Sequence, residues 1–496
     1  MVRKGKAVPL RAIGSSVVGR AGHVDLVAAE SMASAPPAPP VTAPAAFPNG
    51  AETGGAAARR YHLVHGSKVP YTDLSAVRPS AKSYPDAELL PLPYPPRART
   101  GFSAERPEGL GDLLALAYGV TRIDWSAKGI RAGRPLPSGG GVYPGELYVA
   151  AEFGLCHYLP SAHALERLHE VDPDRGVVED VVESIVDCLA SPPEERPKLV
   201  LVLTTRHAAN LAGFGSFGHR LQALDTGVTA GQALALLEAA GARARVHSQF
   251  DEARLGRVLG LEPAAESVRA VITAGPGLDE PTAVPAFSTD PGASQAGLPR
   301  RIMARHTARD GFEPVSVPLQ RILELLEDAA LPLPTDVRIG RGAQFAELEL
   351  YCLAKRVDGL AAGCHRRNPA NGGLEPAGEK ADPRTLFQSG GRGELAHFQA
   401  ACALFVAGDY EHGYRVHGDR WYRMLNLHAG ILAQRIGIAA AGLGLGSSVR
   451  CDYQVKAADR LINAPSDRTV LLTVLIGVER GAGAPGHRLL LGSHGS

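Results

Sequence analysis

No C-x-x-C pair and no H-E-x-x-H run occurs in the sequence, which removes the common zinc patterns. Six cysteines stand apart at 156, 188, 352, 364, 402 and 451, as expected of free, mostly buried thiols in a reducing cytoplasm. Charge of one sign is also lacking. The net charge is +1, so no global field favours nucleic acid or an acidic membrane surface. No apolar run approaches ~18 residues, which argues against a membrane span. Aromatic residues are scarce, at 5%, but hydrophobic residues reach 45%, enough for a folded core. A chain of 496 residues implies two to four domains at roughly 150 residues each.

The amino-terminal end has no acidic residue before Asp25 and no continuous apolar stretch, which argues against a secretory signal. Residues 33–59, "ASAPPAPPVTAPAAFPNGAETGGAAAR", are rich in Ala, Pro and Gly. Such a segment buries too little apolar surface to offset its ordering entropy, so a flexible tether is expected. Residues 1–32 read either as a strand pair or as a docking tail. Residues 1–60 are thus a tail and linker.

What is present is an internal repeat. "GELYVA" at 145–150 matches "LELYCLA" at 348–354, placing Tyr351 203 residues after Tyr148. "HRLQALDTG" matches "YRMLNLHAG", placing Arg423 203 residues after Arg220. "LEAAGARA" near 237–244 matches "IAAAGLGL" near 438–445, and "VRAVITAG" at 268–275 matches "LLTVLIG" at 471–477. Four pairs in order near one offset indicate duplication. Each half reads as a helix (110–119; 319–330), a Pro/Gly turn and strand, a long Ala/Leu helix (221–240; 422–440) and a late strand (268–274; 469–476). This is an α+β unit in tandem, spanning 61–285 and 300–490. The two long helices, apolar on nearly all sides, are expected to pack together at a pseudo-two-fold axis.

Four stretches are candidates for chemistry. In "RHTARDGF", Arg305 and Arg309 flank Thr307, and two guanidiniums with a hydroxyl suit a dianionic phosphate; a solvated basic surface is the alternative. In "AAGLGLGSSVRCD", Gly442, Gly444 and Gly446 alternate ahead of Arg450. They follow a helix rather than a strand, so the dinucleotide fingerprint fails and a helix-capping role competes with anion binding. "GHRLLL" places His487 and Arg488 after the last strand. In "PSGGGVYPGELY", Pro137 and Ser138 set a turn and Gly139, Gly140 and Gly141 allow close backbone approach. The strand that follows carries Glu146 and Tyr148 on one face, Leu147 and Val149 on the other.

Taken together these stretches resemble the FMN-dependent nitroreductase superfamily, and within it the SagB/ThcOx-type dehydrogenases. The resemblance rests on "RPLPSGGGVYPGELYV", "GLCHYLPSAHALERL", "RHTARDGF", "GDRWYRMLNLHAGILAQRIGIAAAGLGLGSSV" and "YHLVHGSKV" at 61–69, and covers about residues 60–490. It implies a nitroreductase-like fold with FMN at a dimer interface. One subunit would supply Arg305, Thr307, Arg309 and carboxy-terminal basic residues to the phosphate. The other would lay its Pro-Ser segment along the flavin. It also implies oxidation of thiazolines or oxazolines in a ribosomally made peptide, with a partner cyclodehydratase as a possible companion.

The repeat sharpens this. The arginine motif and the Gly-rich exit read as intact only in the second half, and Pro-Ser-Gly only in the first, where the 203 offset sets Arg341 opposite Ser138. A fused pseudo-dimer would keep one FMN site and lose its mirror image. Ser138 to Gly141 should then matter to flavin, and Arg341 to Ala343 should not. The branch's Lys-Tyr pair is missing; those places hold Val416 and His417, and Gly213 and Phe214 in the first half. That leaves His417 as candidate base, with Tyr422 and Asp419 behind it. An NAD(P)H-fed nitro- or quinone-type reductase and a catalytically impaired scaffold remain alternatives. Peptide, ring type and further self-association stay open.

Overall fold

The computed structural model describes residues 56–65, 82–93, 103–126, 129–169, 180–275, 297–337, 348–378, 386, 392–409, 412–481 and 488–490. Residues 1–55 and the segment around Arg341 to Ala343 lie outside them; residues 56–60, expected as the end of a flexible tether, instead open a helix, with Ala58 buried in the core of the second half. The first half runs α1 (Ala56–His65), β1 (Glu88–Pro91), α2 (Gly111–Tyr118), the hairpin β2 (Arg122–Ser126) and β3 (Gly129–Gly133), and β4 (Gly145–Ala151). It continues through β5 (Gly154–Leu159), β6 (Ala164–His169), α3 (Val181–Val186), β7 (Leu199–Arg206) and α4 (His207–Phe214). It closes with α5 (Gly218–Ala239), β8 (Ala244–His247), α6 (Glu252–Val258) and β9 (Glu266–Ala274).

The second half repeats the plan. After α7 (Gly297–Ala304), β10 (Val317–Pro318) and α8 (Leu319–Ala329) come β11 (Leu348–Ala354), β12 (Val357–Asp358), β13 (Gly363–Arg367) and β14 (Leu374–Pro376). Then follow α9 (Arg392–Gln399), β15 (Cys402–Asp409), α10 (His412–His417) and α11 (Arg420–Gly442). The last elements are β16 (Gly446–Arg450), α12 (Val455–Leu461), β17 (Arg468–Gly477) and β18 (Arg488–Leu490).

The two main sheets have the same topology. The first is ordered β1-β6-β5-β4-β7-β9-β8 and the second β14-β13-β11-β15-β17-β16, all antiparallel. Even an irregularity is repeated. The register between β7 and β9 shifts at Leu203/Thr204, and that between β15 and β17 at Val406/Ala407, 203 residues later. Bulges re-aim a strand and do not arise twice at one register by chance. The tandem α+β architecture read from the sequence is the one observed.

Strand alternation sorts the cores. Leu147, Val149, Leu201 and Leu203 face the layer of α2 and α5, while Tyr148, Val200 and Val202 face α3 and α6. The cores are also interleaved: Leu427 and Ile431 of α11 belong to the first core, and Leu224 of α5 to the second. At the crossing, Gly227 and Gly430 stand backbone to backbone, again 203 apart. Gln434 Nε2 donates to Gln232 Oε1 at 2.6 Å beside them. Both helices end alike. Gly241 (φ 81°) and Gly444 (φ 69°) follow them in the left-handed region, and Ala242 N and Leu445 N reach back to Leu237 O (3.0 Å) and Ala440 O (2.8 Å). The expected loss of this exit in the first half is therefore corrected: its key glycine is kept. No helix among the described residues is long and apolar enough to cross a membrane.

Candidate functional site

The arginine motif leaves α7 and runs along the outer edge of β16. Thr307 bridges Ser447 in parallel, and Ala308 N donates to Ser447 O at 3.0 Å. This pins the motif and sends its two arginines toward the first half. Arg305 is 3% exposed, and its Nε donates to Pro135 O at 2.8 Å. Its stem crosses Gly437 of α11, where a Cβ would stand 3.5 Å from Arg305 Cδ. Arg309 is exposed, and its Nη2 lies 3.8 Å from where a Cβ would sit on Gly141. Residues 170 apart in sequence thus meet in one place.

The segment they meet is folded by its glycines. Gly140 (φ 65°) and Gly141 (φ 71°) occupy the left-handed region, which side chains disfavour. Gly141 N donates to Ser138 O at 2.9 Å, and Tyr143 N to Ser138 Oγ at 2.9 Å. Ser138 Oγ donates to Asp225 Oδ2 at 2.6 Å and Gly139 N to Asp225 Oδ1 at 3.2 Å. A Cβ on Gly139 would stand 2.8 Å from Leu221 Cδ1, so the turn lies close on α5 and a side chain there would have to displace Leu221. Most of these N–H groups are used internally. What the segment offers a ligand is a strip free of side chains, with the guanidiniums at its end.

Beneath the segment is a cavity lined by Tyr118, Ser138, Tyr143, Thr205, Asp225 and Thr229, among others. Burial pushes the Asp225 carboxyl up to about 7, against the lowering pull of its bonds from Ser138 and Gly139. Arg134 roofs this corner, its guanidinium 4.1 Å from the Tyr118 ring centroid and 4.8 Å from that of Tyr143. Asp225 was missed in the sequence, although a carboxylate in the middle of a nearly all-buried helix is a readable signal.

The mirror position is built from "PLPT" at 332–335, which repeats "PLPS" at 135–138. The structural counterpart of Ser138 is thus Thr335, not Arg341. Thr335 Oγ1 lies 3.3 Å from His428 Nε2, and His428 is the residue 203 after Asp225. Here the strand edge is closed by the protein itself. Val246 N of β8 donates to Pro334 O at 2.8 Å, and Asp336 N to Val246 O at 3.2 Å. The Asp336 carboxylate, 3% exposed, accepts from Ser248 N, Ser248 Oγ and Gln249 N at 2.8–3.0 Å.

The other candidates fall elsewhere. His417 is half-buried, stacked on Trp421 at 5.6 Å between ring centroids. Burial lowers its pKa, and the charge of Asp336 opposes that shift. It therefore stands on the closed, mirror side. Asp419 precedes α11, its carbonyl accepting from Tyr422 N at 3.3 Å. Tyr422 is core: its hydroxyl lies 3.1 Å from His62 Nδ1, and burial holds its pKa well above the usual value. No described contact joins these three to Arg305, Arg309 or Ser138. Gly442 clears the Arg301 side chain (2.9 Å), Gly444 caps α11 and Gly446 clears Glu479 (2.9 Å), so all three have roles in packing or capping. Arg450 lies farther along β16, 3.5 Å from Asp452. The backbone of Arg488 pairs with Asp124 of the first half.

Residues 302–478 match the model of the nitroreductase family. A candidate nitroreductase from Anabaena variabilis superposes with a TM-score of 0.69 over 85% of this chain and 99% of its own, at 20% identity. This establishes a shared fold. The E. coli microcin synthetase complex with truncated pro-MccB17 bound overlaps 42% of this chain and 74% of its own at 19% identity, TM-score 0.28. A candidate nitroreductase from Ralstonia eutropha overlaps 42% of this chain and 97% of its own at 22% identity, TM-score 0.29. At those scores neither overlap bears on this chain's activity. No curated protein matches the chain.

Proposed function

We propose that this chain is a flavin-dependent oxidoreductase with one FMN site, shared between its halves. The observation that carries the reading is the meeting of Arg305 and Arg309 with the Pro135–Gly141 segment. These residues fit the group. Two guanidiniums and the Thr307 hydroxyl suit a phosphate dianion, and a strip without side chains suits a flat ring. When bound, FMN supplies a two-electron acceptor. The protein's share is to anchor the phosphate through Arg305 and Arg309 and to hold the ring side through Ser138 to Gly141. The mirror position is closed by Pro334 to Asp336, so one flavin per chain is expected.

In its finer form the proposal makes the substrate a thiazoline or oxazoline in a ribosomally made peptide, oxidised to the aromatic ring in the cytoplasm, with a cyclodehydratase as companion. This step rests on the resemblance of residues 134–168 to the SagB/ThcOx-type branch. The absorption spectrum and released-flavin stoichiometry of the purified chain test the first part. One FMN per chain supports it; none, or two, overturns it. Loss of two hydrogens per ring from an azoline peptide tests the second. NAD(P)H-driven turnover of nitroaromatics, with azolines untouched, would replace it by the reductase reading.

The placement of His417 gives a further expectation. His417→Ala should retain flavin and change turnover far less than the roughly hundredfold or more that loss of a general base costs. Steady-state rates of the variant check this.

A further inference from the structure

We infer that Asp225 is a proton-holding positioning residue, which turns the Ser138 hydroxyl toward a ligand lying on the 137–141 segment. The inference rests on the FMN reading for the identity of that ligand, and on local geometry for the rest.

Ser138 Oγ sits in a fixed chain. It accepts from Tyr143 N at 2.9 Å and lies 2.6 Å from Asp225 Oδ2, while Asp225 Oδ1 accepts from Gly139 N at 3.2 Å. When Asp225 is ionised, both its oxygens only accept, so the hydroxyl hydrogen of Ser138 must point inward to Oδ2. When Asp225 carries a proton on Oδ2, that proton can be donated to Ser138 Oγ. The hydroxyl hydrogen is then released to point outward. No bond to carbon changes; one proton enters at Asp225 and one O–H turns.

The surroundings leave Asp225 free to hold that proton. Among the described residues no Lys or Arg bonds to it. Tyr118 of α2 and Glu146 of β4 line the same cavity, and the Cys451 thiol of the second half feels the charge of the carboxyl. Arg134 is engaged by the Tyr118 and Tyr143 rings, and Arg309 stands at Gly141. Burial raises the carboxyl to about 7, near neutrality. At the mirror position the partner of Thr335 is His428, so the carboxyl is particular to the open site.

The edge of a flavin ring presents mostly acceptors. A ring on this segment should therefore bind better to the form whose Ser138 hydrogen points outward, and binding should take up one proton. The experiment titrates flavin-free protein with FMN by fluorescence between about pH 7 and 9, where the phosphate ester is already a dianion. Calorimetry near pH 8, in two buffers of different ionisation enthalpy, counts the protons.

Wild-type affinity should fall by about tenfold per pH unit above the Asp225 pKa, with close to one proton taken up. Asp225→Asn, whose amide donates to Ser138 permanently, should bind with no pH slope and no proton uptake. A flat wild-type profile, or the same slope in the variant, overturns the inference. A second readout needs no flavin. A carboxyl raised from 3.8 to about 7 in the folded state contributes stability that is lost as pH rises through that interval. Wild type should thus lose melting temperature relative to Asp225→Asn between about pH 4 and 7, with a constant difference above. A difference flat throughout overturns the inference on its own. Failure of wild type to bind FMN at any pH sinks the FMN reading instead.

Discussion

Alanine at Gly227 or Gly430 is expected to cost most of the protein's stability, while the same change at Gly256 stabilises it. In a helix interior, alanine is favoured over glycine by about 1 kcal/mol. Gly256, in α6, has no atom within 4 Å of a built Cβ, so that gain should appear nearly whole. At Gly227 the Cβ would stand 2.0 Å from Leu427 O and 2.9 Å from Gly430 Cα. At Gly430 it would stand 2.2 Å from Leu224 O and 3.0 Å from Gly227 Cα. These are backbone atoms of two long helices, so no rotamer change relieves the overlap. The helices must separate, and with them Leu427 and Ile431 withdraw from the first core and Leu224 from the second. Overpacking costs ~1–3 kcal/mol where side chains can adjust, and this site lies at or beyond the top of that range. Thermal melts of the three variants check the signs. Wild-type stability in Gly227→Ala would mean that α5 and α11 cross less closely than described.

The same crossing explains why so much of the fold was legible. Buried helices and strands keep their lengths under duplication, because an inserted residue would turn every following side chain to the wrong face. Tyr148 and Tyr351, the paired bulges and the paired helix exits therefore keep one register. Loops carry no such constraint. The turn before β11 begins earlier relative to its strand than the one before β4, so Thr335 answers Ser138 at an offset of 197, not 203. A register fixed on strands could not find it. His417 and Tyr422 stand away from the arginine motif for another reason. Nearness in sequence to the second half's interface helix does not say which side of the pseudo-two-fold axis a residue faces. His417 ends α10 within the field of Asp336, the residue that closes the mirror side, and Tyr422 turns inward to His62. Asp225 was readable only as an oddity, a carboxylate among apolar neighbours, until its bonds to Ser138 and Gly139 gave it a place.

Arg309→Ala should weaken FMN binding without touching the fold, and Arg305→Ala should do both. Arg309 is exposed and approaches Gly141 without a described hydrogen bond to the protein, so its removal takes away a ligand contact and little else. A charge-assisted contact is worth ~1.5–3 kcal/mol, which is roughly ten- to hundredfold in affinity. Arg305 is buried and holds Pro135 O across the junction of the halves. Its loss adds to the same binding deficit an unpaired carbonyl and a looser 135–141 segment, worth about 1–3 kcal/mol of stability. The mirror position supplies an internal control. There Arg435 Nη2 donates to Pro332 O at 3.0 Å, the same proline one repeat later, at a strand edge already sealed by Asp336. Arg435→Ala should therefore lower the melting temperature and leave FMN affinity nearly unchanged. Fluorescence titration and thermal melts separate the three outcomes. Affinity loss in Arg309→Ala without a stability change would place the phosphate at the open site. Equal affinity in wild type, Arg305→Ala and Arg309→Ala would refute that placement, because neither guanidinium of the motif could then be reading the phosphate.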